Sequence, residues 1–357
     1  MGRGVLLPGL KERGHLEHRK ENDPGGAGAA AYLHQLTGQL FGKDRKMNQL
    51  IFLNPVLKHN IWGGTRLREE FGYQVEGDDI GECWGIAAHP SGDCTVKGGS
   101  FDGKKLSALW REQPELFGGK TGKTFPLLIK IIDAKDDMSI QVHPDDAYAK
   151  VNENGSLGKT ECWYILDCKE DAALVIGHNA RTREELKEMI EEGRWSDFIR
   201  LISVKKGDFI QIDPGTVHAI KGGILLLETQ QNSDITYRVY DYDRLSDGKP
   251  RELHIQKSMD VIQVPAKSVE NSVLHTAEEP ENQWRLLYEC SYYKVFHLAV
   301  KGSVKVEQES PFYLMSVVKG EGTLNGIALH KGDHFIVPAG FGAMKFEGAM
   351  ELIASTI

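Results

Sequence analysis

The chain has 357 residues, 40% of them apolar and 26% charged, with a formal net charge of -8, a balance that fits a globular protein with an ample core and room for two domains. No apolar run approaches the roughly 20 residues of a membrane span, and the acidic excess excludes a broad nucleic-acid surface, which needs clustered Lys and Arg. Five cysteines, Cys83, Cys94, Cys162, Cys168 and Cys290, are odd in number and form no C-x-x-C pair, so neither a disulfide framework nor a thiolate metal site is indicated and a reducing cytoplasm is the expected location.

Residues 1–46 carry a Gly-rich GGAGAAA stretch, scattered basic residues and no sustained apolar period. They are expected to form a poorly ordered extension. From about Pro55 to Val264, short apolar runs such as FPLLIKIIDA, MSIQVH, CWYILDC and ILLLETQ recur between Gly, Asp and Pro turn clusters, the texture of a β-barrel or sandwich. In SIQVHPDD, Gln141 and His143 are two residues apart, and strand side chains at that spacing share a face. Glu161 follows in GKTECW, with Cys162 turned to the opposite face as core packing. Residues 182–202, TREELKEMIEEGRWSDFIRLI, have helical spacing, an acidic first turn and Thr182 as N-cap, so a helix is predicted there. His218 then closes a turn sequence that begins at Gly207.

Two imidazoles, a carboxylate and an amide oxygen suit a borderline divalent ion such as zinc, one per chain, with room for a substrate oxygen. Thirteen histidines produce chance pairs, so the weight rests on the four residues together. Trp62, Trp84 and Trp163 are expected to pack the core, and Asp145 and Asp146 to cap a turn. Near the C-terminus, HKGDHFIVPAGFGA repeats KKGDFIQIDPGTVHA at Lys-Gly-Asp, the five-residue strand and the closing Gly. Ala343 takes the place of His218, so this second copy is expected to be metal-free, joined through a polar linker over 264–283.

Gly207, five residues, Asp213, Pro214, Gly215, two residues and His218 resemble the second cupin signature, G-x5-P-x-G-x2-H, with Asp213 in place of its proline. More specifically, NPVLKHNIWGGTRL, GECWGIAAHPSG, PLLIKIIDAKDDMSIQVHPDD, GKTECWYIL, GTVHAI and ETQQNSDITYRVYDYDR, in this order, resemble the short bacterial form of type I mannose-6-phosphate isomerase, from about Met47 to the C-terminus. The resemblance implies a mainly β fold of two cupin (jelly-roll) β-barrels with a small helical excursion: a metal-binding catalytic domain over 47–264 and a second cupin-like domain over 284–357. It places the zinc ligands on Gln141, His143, Glu161 and His218, and the active-site arginine on Arg238, ten residues after Glu228. Lys159, two before the glutamate ligand, also corresponds to a family position. Ala88 departs from the serine of many members.

The activity so implied is zinc-dependent interconversion of mannose 6-phosphate and fructose 6-phosphate through an enediol, with a sugar phosphate as partner and neither nucleic acid nor membrane. Arg238 would bind the enediolate or the phosphate, while Lys159 and Glu228 are unranked proton carriers or orienters. An Fe(II) cupin oxygenase would ordinarily need His-x-His where this chain has Gln141-Val142-His143. A non-catalytic sugar-binding cupin would have lost a ligand or Arg238.

Overall fold

A computed structural model describes residues 49–269, 272–274 and 280–357; the expectation for residues 1–46 lies outside them. Alternation along the central strands sets the layering. In Leu127–Ala134, Glu161–Cys168 and Ile224–Gln231, one parity (Ile129, Tyr164, Leu225) enters a core shared with the C-terminal sheet. The other parity (Ile132, Trp163, Leu226) enters a separate core facing a five-stranded sheet. Period-2 side-chain placement thus divides one strand run between two interiors.

The central sheet has seven strands in the order Val273–Leu274, Phe209–Ile212, Glu161–Cys168, Ile224–Gln231, Leu127–Ala134, Val56–Gly64 and Ile80–Ile86. The five-stranded sheet runs Ile199–Ser203, Ala173–His178, His218–Ile220, Ile140–Val142 and Tyr237–Tyr240. The eight-stranded C-terminal sheet is dominated by Lys294–Val306, Tyr313–Leu324 and Met344–Thr356. The architecture is mainly β and cupin-like as expected, but the strands form open sheets stacked face to face rather than closed barrels.

Three local expectations change. The helix over 182–202 is shorter: Thr182 does accept from Glu185 N–H at 3.2 Å, but the helix spans Arg183–Glu191. Gly193 follows in the left-handed region (φ 65), the conformation that ends helices. After a single turn at Trp195–Phe198, Ile199–Ser203 is a strand paired with Ala173–His178. Second, part of the expected linker, Val273–Leu274, pairs with Phe209–Ile212. Third, Ile51–Asn54, inside the span expected for the first domain, pairs with His334–Val337 of the C-terminal sheet.

The internal repeat is visible in backbone detail. Gly207 and Gly332 share a left-handed φ (85° and 92°), as do Gly215 and Gly340 (81° and 74°). Asp208 accepts from Lys205 N–H and Asp333 from His330 N–H, at 2.9 and 2.8 Å, the same turn made twice. The strands that follow are Phe209–Ile212 and His334–Val337.

His334 is 1% exposed, with Tyr73 Oη 2.8 Å from Nε2 and Ser316 Oγ 2.8 Å from Nδ1. Burial pushes its pKa down to about 3, against about 6.5 in an unfolded chain. Between these values the unfolded chain takes up a proton that the folded one refuses, so stability falls as pH drops through the window. Between pH 7 and 5 this one group is expected to cost about 2 kcal/mol. Urea unfolding at both pH values checks it: His334→Gln should lose less stability over that interval than the wild-type chain, and an equal loss would contradict the assignment.

Candidate metal centre

Both sheets of the N-terminal half deliver side chains into the space between them. Glu161 opens its strand with the inward parity of Trp163 and Ile165. From the opposing sheet, His218 and Gln141 are direct ladder partners, and Gln141 is in turn opposite Arg238. Directly opposed residues of neighbouring strands share a face, so His218, Gln141 and Arg238 form a row. His143 follows Val142, and its carbonyl accepts from Gly215 N–H at 2.9 Å, which ties the turn before His218 to the His143 backbone.

Ligand atoms of His143, Glu161 and His218 all lie within 4.8 Å of one another. Nε2 of His218 is 3.1 Å from Nε2 of His143, 3.2 Å from the Gln141 side-chain amide and 3.3 Å from Glu161 Oε1. His143 Nε2 is 3.5 Å from Glu161 Oε2. His218 Nδ1 lies 2.8 Å from the Thr216 carbonyl, an acceptor only, so the proton sits on Nδ1 and Nε2 presents its lone pair to the cluster. Gln141 reaches the same point with an amide whose oxygen and nitrogen exchange by a flip.

His143, Glu161 and His218 are all within 1% of full burial. Burial drives the His143 pKa well below its ordinary value and that of His218 to about 4, so both rings are neutral near pH 7. Burial also pushes Glu161 up to about 7, with Lys159 opposing and Glu228 adding to the rise. Neither Glu161 oxygen has an aligned hydrogen bond among the described residues, although Lys159 Nζ stands 2.9 Å from Oε2. A proton shared between the imidazoles would satisfy one ring and leave both carboxylate oxygens unserved; a divalent cation serves every donor. The donor set of two neutral imidazoles, a carboxylate and an amide fits such an ion.

Lys159, 5% exposed, also lies 3.1 Å from His143 Nε2, at the edge of the centre. Glu228 is held further along the same interior: it accepts from Trp163 Nε1–H at 3.0 Å and pairs with Lys130 Nζ at 3.1 Å. Burial alone would raise its pKa, but Lys130 and Lys159 reverse the sign and hold it near 2. Lys130 was not singled out from the sequence. Its signal was a lone charge on the inward parity of the apolar run LLIKIIDA, since lysine is almost never fully buried without a partner. These side chains and Gln141 line a cavity of about 110 Å³, shared with Glu82 and Trp84. The tryptophans at 84 and 163 therefore form the cavity wall as well as core. A larger cavity of about 730 Å³, with none of the four candidate ligands on its wall, shares the lining residue Asp234 with the smaller one. Asp145 caps the helix Asp146–Asn152 as expected, while Asp146 accepts from Gly158 N–H, Gln231 and Tyr292 on the wall of the larger space.

Arg238 donates from Nη1 to the Glu252 carbonyl at 2.8 Å, whereas its buried Nε has no partner among the described residues. Cys162 packs in the core on the opposite face from Glu161, as alternation predicted.

The family model for the catalytic domain of type I phosphomannose isomerase matches residues 50–165, and that for the mannose-6-phosphate isomerase cupin domain matches 285–357. The mannose-6-phosphate isomerase ManA of Bacillus subtilis is 50% identical over 310 residues, 85% of this chain and 98% of that protein. The chain belongs to the type I mannose-6-phosphate isomerase family. A second relative of the same name, from Streptococcus mutans, is 44% identical over 87% of this chain and 98% of its own length. The solved mannose 6-phosphate isomerase of Bacillus subtilis superposes with a TM-score of 0.80 at 46% identity, covering 86% of this chain and 99% of that one. A zinc-bound mannose 6-phosphate isomerase shares the fold at 15% identity, with a TM-score of 0.68 over 86% of this chain and 98% of that one. The enzyme is thus an aldose-ketose isomerase; Glu228, on the strand Ile224–Gln231, and Lys159, in the segment just before the strand Glu161–Cys168, face the same interior as the four candidate ligands.

Proposed function

We propose that this isomerase interconverts mannose 6-phosphate and fructose 6-phosphate through an enediol, with one zinc ion held by Gln141, His143, Glu161 and His218. The observation that carries the reading is the meeting of two bare imidazole nitrogens, a buried carboxylate without aligned donors and an amide in one interior, with Lys159 against them. Bound there, zinc would supply Lewis-acid stabilisation of negative charge developing on oxygen, an effect worth several kcal/mol.

The chain's own residues divide the remaining work. The reaction moves the carbon-bound proton of the open-chain aldose from C2 to C1 and the hydroxyl proton from O2 to O1, which shifts the carbonyl from C1 to C2 with no net change in oxidation state. Lys159 Nζ, within 3.1 Å of both His143 and Glu161, is the group placed to carry that proton. Glu228, tied to Lys130 and Trp163 and held ionised, is a poor base and serves to orient and balance charge. Arg238 supplies a fixed guanidinium to the enediolate from the strand beside Gln141. The buried walls of Trp84 and Trp163 keep water from the intermediate.

Turnover of mannose 6-phosphate in deuterium oxide by the zinc-loaded enzyme tests this reading. Fructose 6-phosphate should form, and recovered mannose 6-phosphate should gain deuterium at C2 as the shuttled proton exchanges. Absence of any interconversion would overturn the reading, and product formed by transfer with full retention of the C2 proton would count against the enediol.

A further inference from the structure

Lys159 lies in a stretch, residues 156–160, that belongs to no helix or strand. No ladder therefore fixes its backbone, and the buried amides there must find partners elsewhere. Lys159 N–H donates to the Pro144 carbonyl at 3.0 Å. Gly158 N–H donates to Asp146 Oδ1 at 2.7 Å, Thr160 N–H to Gln231 Oε1 at 2.9 Å, and the Leu157 carbonyl accepts from Ser233 Oγ at 3.1 Å. All but the first of these ties are made by side chains.

The ties converge on Asp146. Its Oδ1 also accepts from Gln231 Nε2 at 3.0 Å, and its Oδ2 accepts from the Tyr292 hydroxyl at 2.9 Å. One carboxylate thus holds the amide before Lys159 directly and the amide after it through Gln231. The approach is close. A Cβ added at Gly158 would meet the Asp145 carbonyl carbon at 2.4 Å and the Asp146 nitrogen at 2.5 Å, so only glycine lets the segment lie against the turn that follows His143.

Tyr292 comes from a different sheet. It sits between Arg285–Glu289 and Lys294–Val306, which are paired strands of the C-terminal sheet. Burial, with Asp146 beside it, raises the hydroxyl's pKa to about 12, so it remains a donor at neutral pH. Asp146, Gln231 and Tyr292 line the larger cavity, and none of them lines the catalytic one. Any effect they have on turnover therefore passes through the residues they hold.

We propose that Asp146 is a positioning residue for the reaction: with Gln231 it sets the backbone on both sides of Lys159, and Tyr292 of the C-terminal sheet fixes Asp146 in turn. The inference rests on the reading of Lys159 as the proton carrier. It gives the C-terminal sheet a part in turnover, since a side chain from that sheet steadies the segment that bears the proton-carrying lysine. Misplacing a reacting group by about 1 Å can cost about a hundredfold in rate, so these hydrogen bonds bear on kcat rather than on substrate binding.

The test uses the zinc-loaded full chain and mannose 6-phosphate carrying protium or deuterium at C2. Asp146→Ala is expected to lower kcat by about tenfold to a hundredfold, with KM and bound zinc within about twofold of wild type. Its deuterium isotope effect on kcat should be at least as large as that of the wild-type enzyme. Asp146→Asn keeps an oxygen for Gly158 and Gln231, and the Tyr292 hydroxyl can turn to accept from the new amide, so most of the lost rate should return. Tyr292→Phe should lower kcat by a few-fold at constant KM, with no further loss when combined with Asp146→Ala, because both changes act through one carboxylate. That variant decides the matter if Asp146→Ala does not fold. Wild-type kcat in the folded variants, a loss that falls on KM or zinc, a shrinking isotope effect, or an Asp146→Asn enzyme as slow as Asp146→Ala would overturn the proposal. Lys159→Ala is the control: lost turnover there beside an unaffected Asp146→Ala means that the positioning role fails while the reading of Lys159 stands, whereas near-normal turnover without Lys159 overturns both.

Discussion

Replacing either His143 or His218 by alanine is expected to abolish metal binding and turnover together. Each change removes a ligand that is within 1% of full burial, and His218 also loses its bond to the Thr216 carbonyl. The remaining donors leave one coordination position unfilled and the geometry broken, and the loss of Lewis-acid stabilisation corresponds to a fall in kcat of about a thousandfold or more. Folding should persist, because the interior around the site is held by Trp62, Ile132, Trp163, Ile165 and Leu226, apolar side chains that the substitutions leave in place. Zinc measured by atomic absorption alongside kcat and circular dichroism checks the result. A folded His218→Ala protein that binds stoichiometric zinc and turns over normally would contradict the ligand assignment.

Arg238→Ala is expected to separate what the histidine changes leave joined. Arg238 is opposite Gln141 in the ladder but is not among the candidate ligands, so zinc should remain bound. Loss of a preorganised cation for the enediolate should lower kcat by about a hundredfold to a thousandfold. A loss confined to KM, with kcat preserved, would assign Arg238 to phosphate recognition alone. Wild-type values of both constants would make it a structural arginine.

Much of the site was legible in the sequence because its ligands obey short-range rules. Gln141 and His143 are two residues apart, Lys159 and Glu161 likewise, and His218 closes a turn whose glycines take the left-handed conformations the pattern demands. The family resemblance then joined segments that spacing could not. The sequence was silent where pairing across long separations decides. The Lys130–Glu228 ion pair depends on the register between Leu127–Ala134 and Ile224–Gln231, in which these two residues are direct partners. No local pattern announces a pairing between residues 98 positions apart. Ile51–Asn54 gave no sign of which sheet it would complete, because a short apolar strand fits any open edge. Over 182–202 the periodicity was helical, yet Gly193 stopped the helix and pairing with Ala173–His178 converted the last four residues to strand. There the tertiary partner outweighed local propensity.

On the proposed reading, a single zinc ion, held by Gln141, His143, Glu161 and His218, makes this chain an isomerase of mannose 6-phosphate. Activity titrated against zinc after complete chelation tests it most directly. Conversion of mannose 6-phosphate to fructose 6-phosphate should vanish with the metal and return linearly, reaching its plateau at one equivalent of zinc per chain. Full activity in the metal-free protein, or a plateau reached only at two equivalents, would contradict the single-zinc reading.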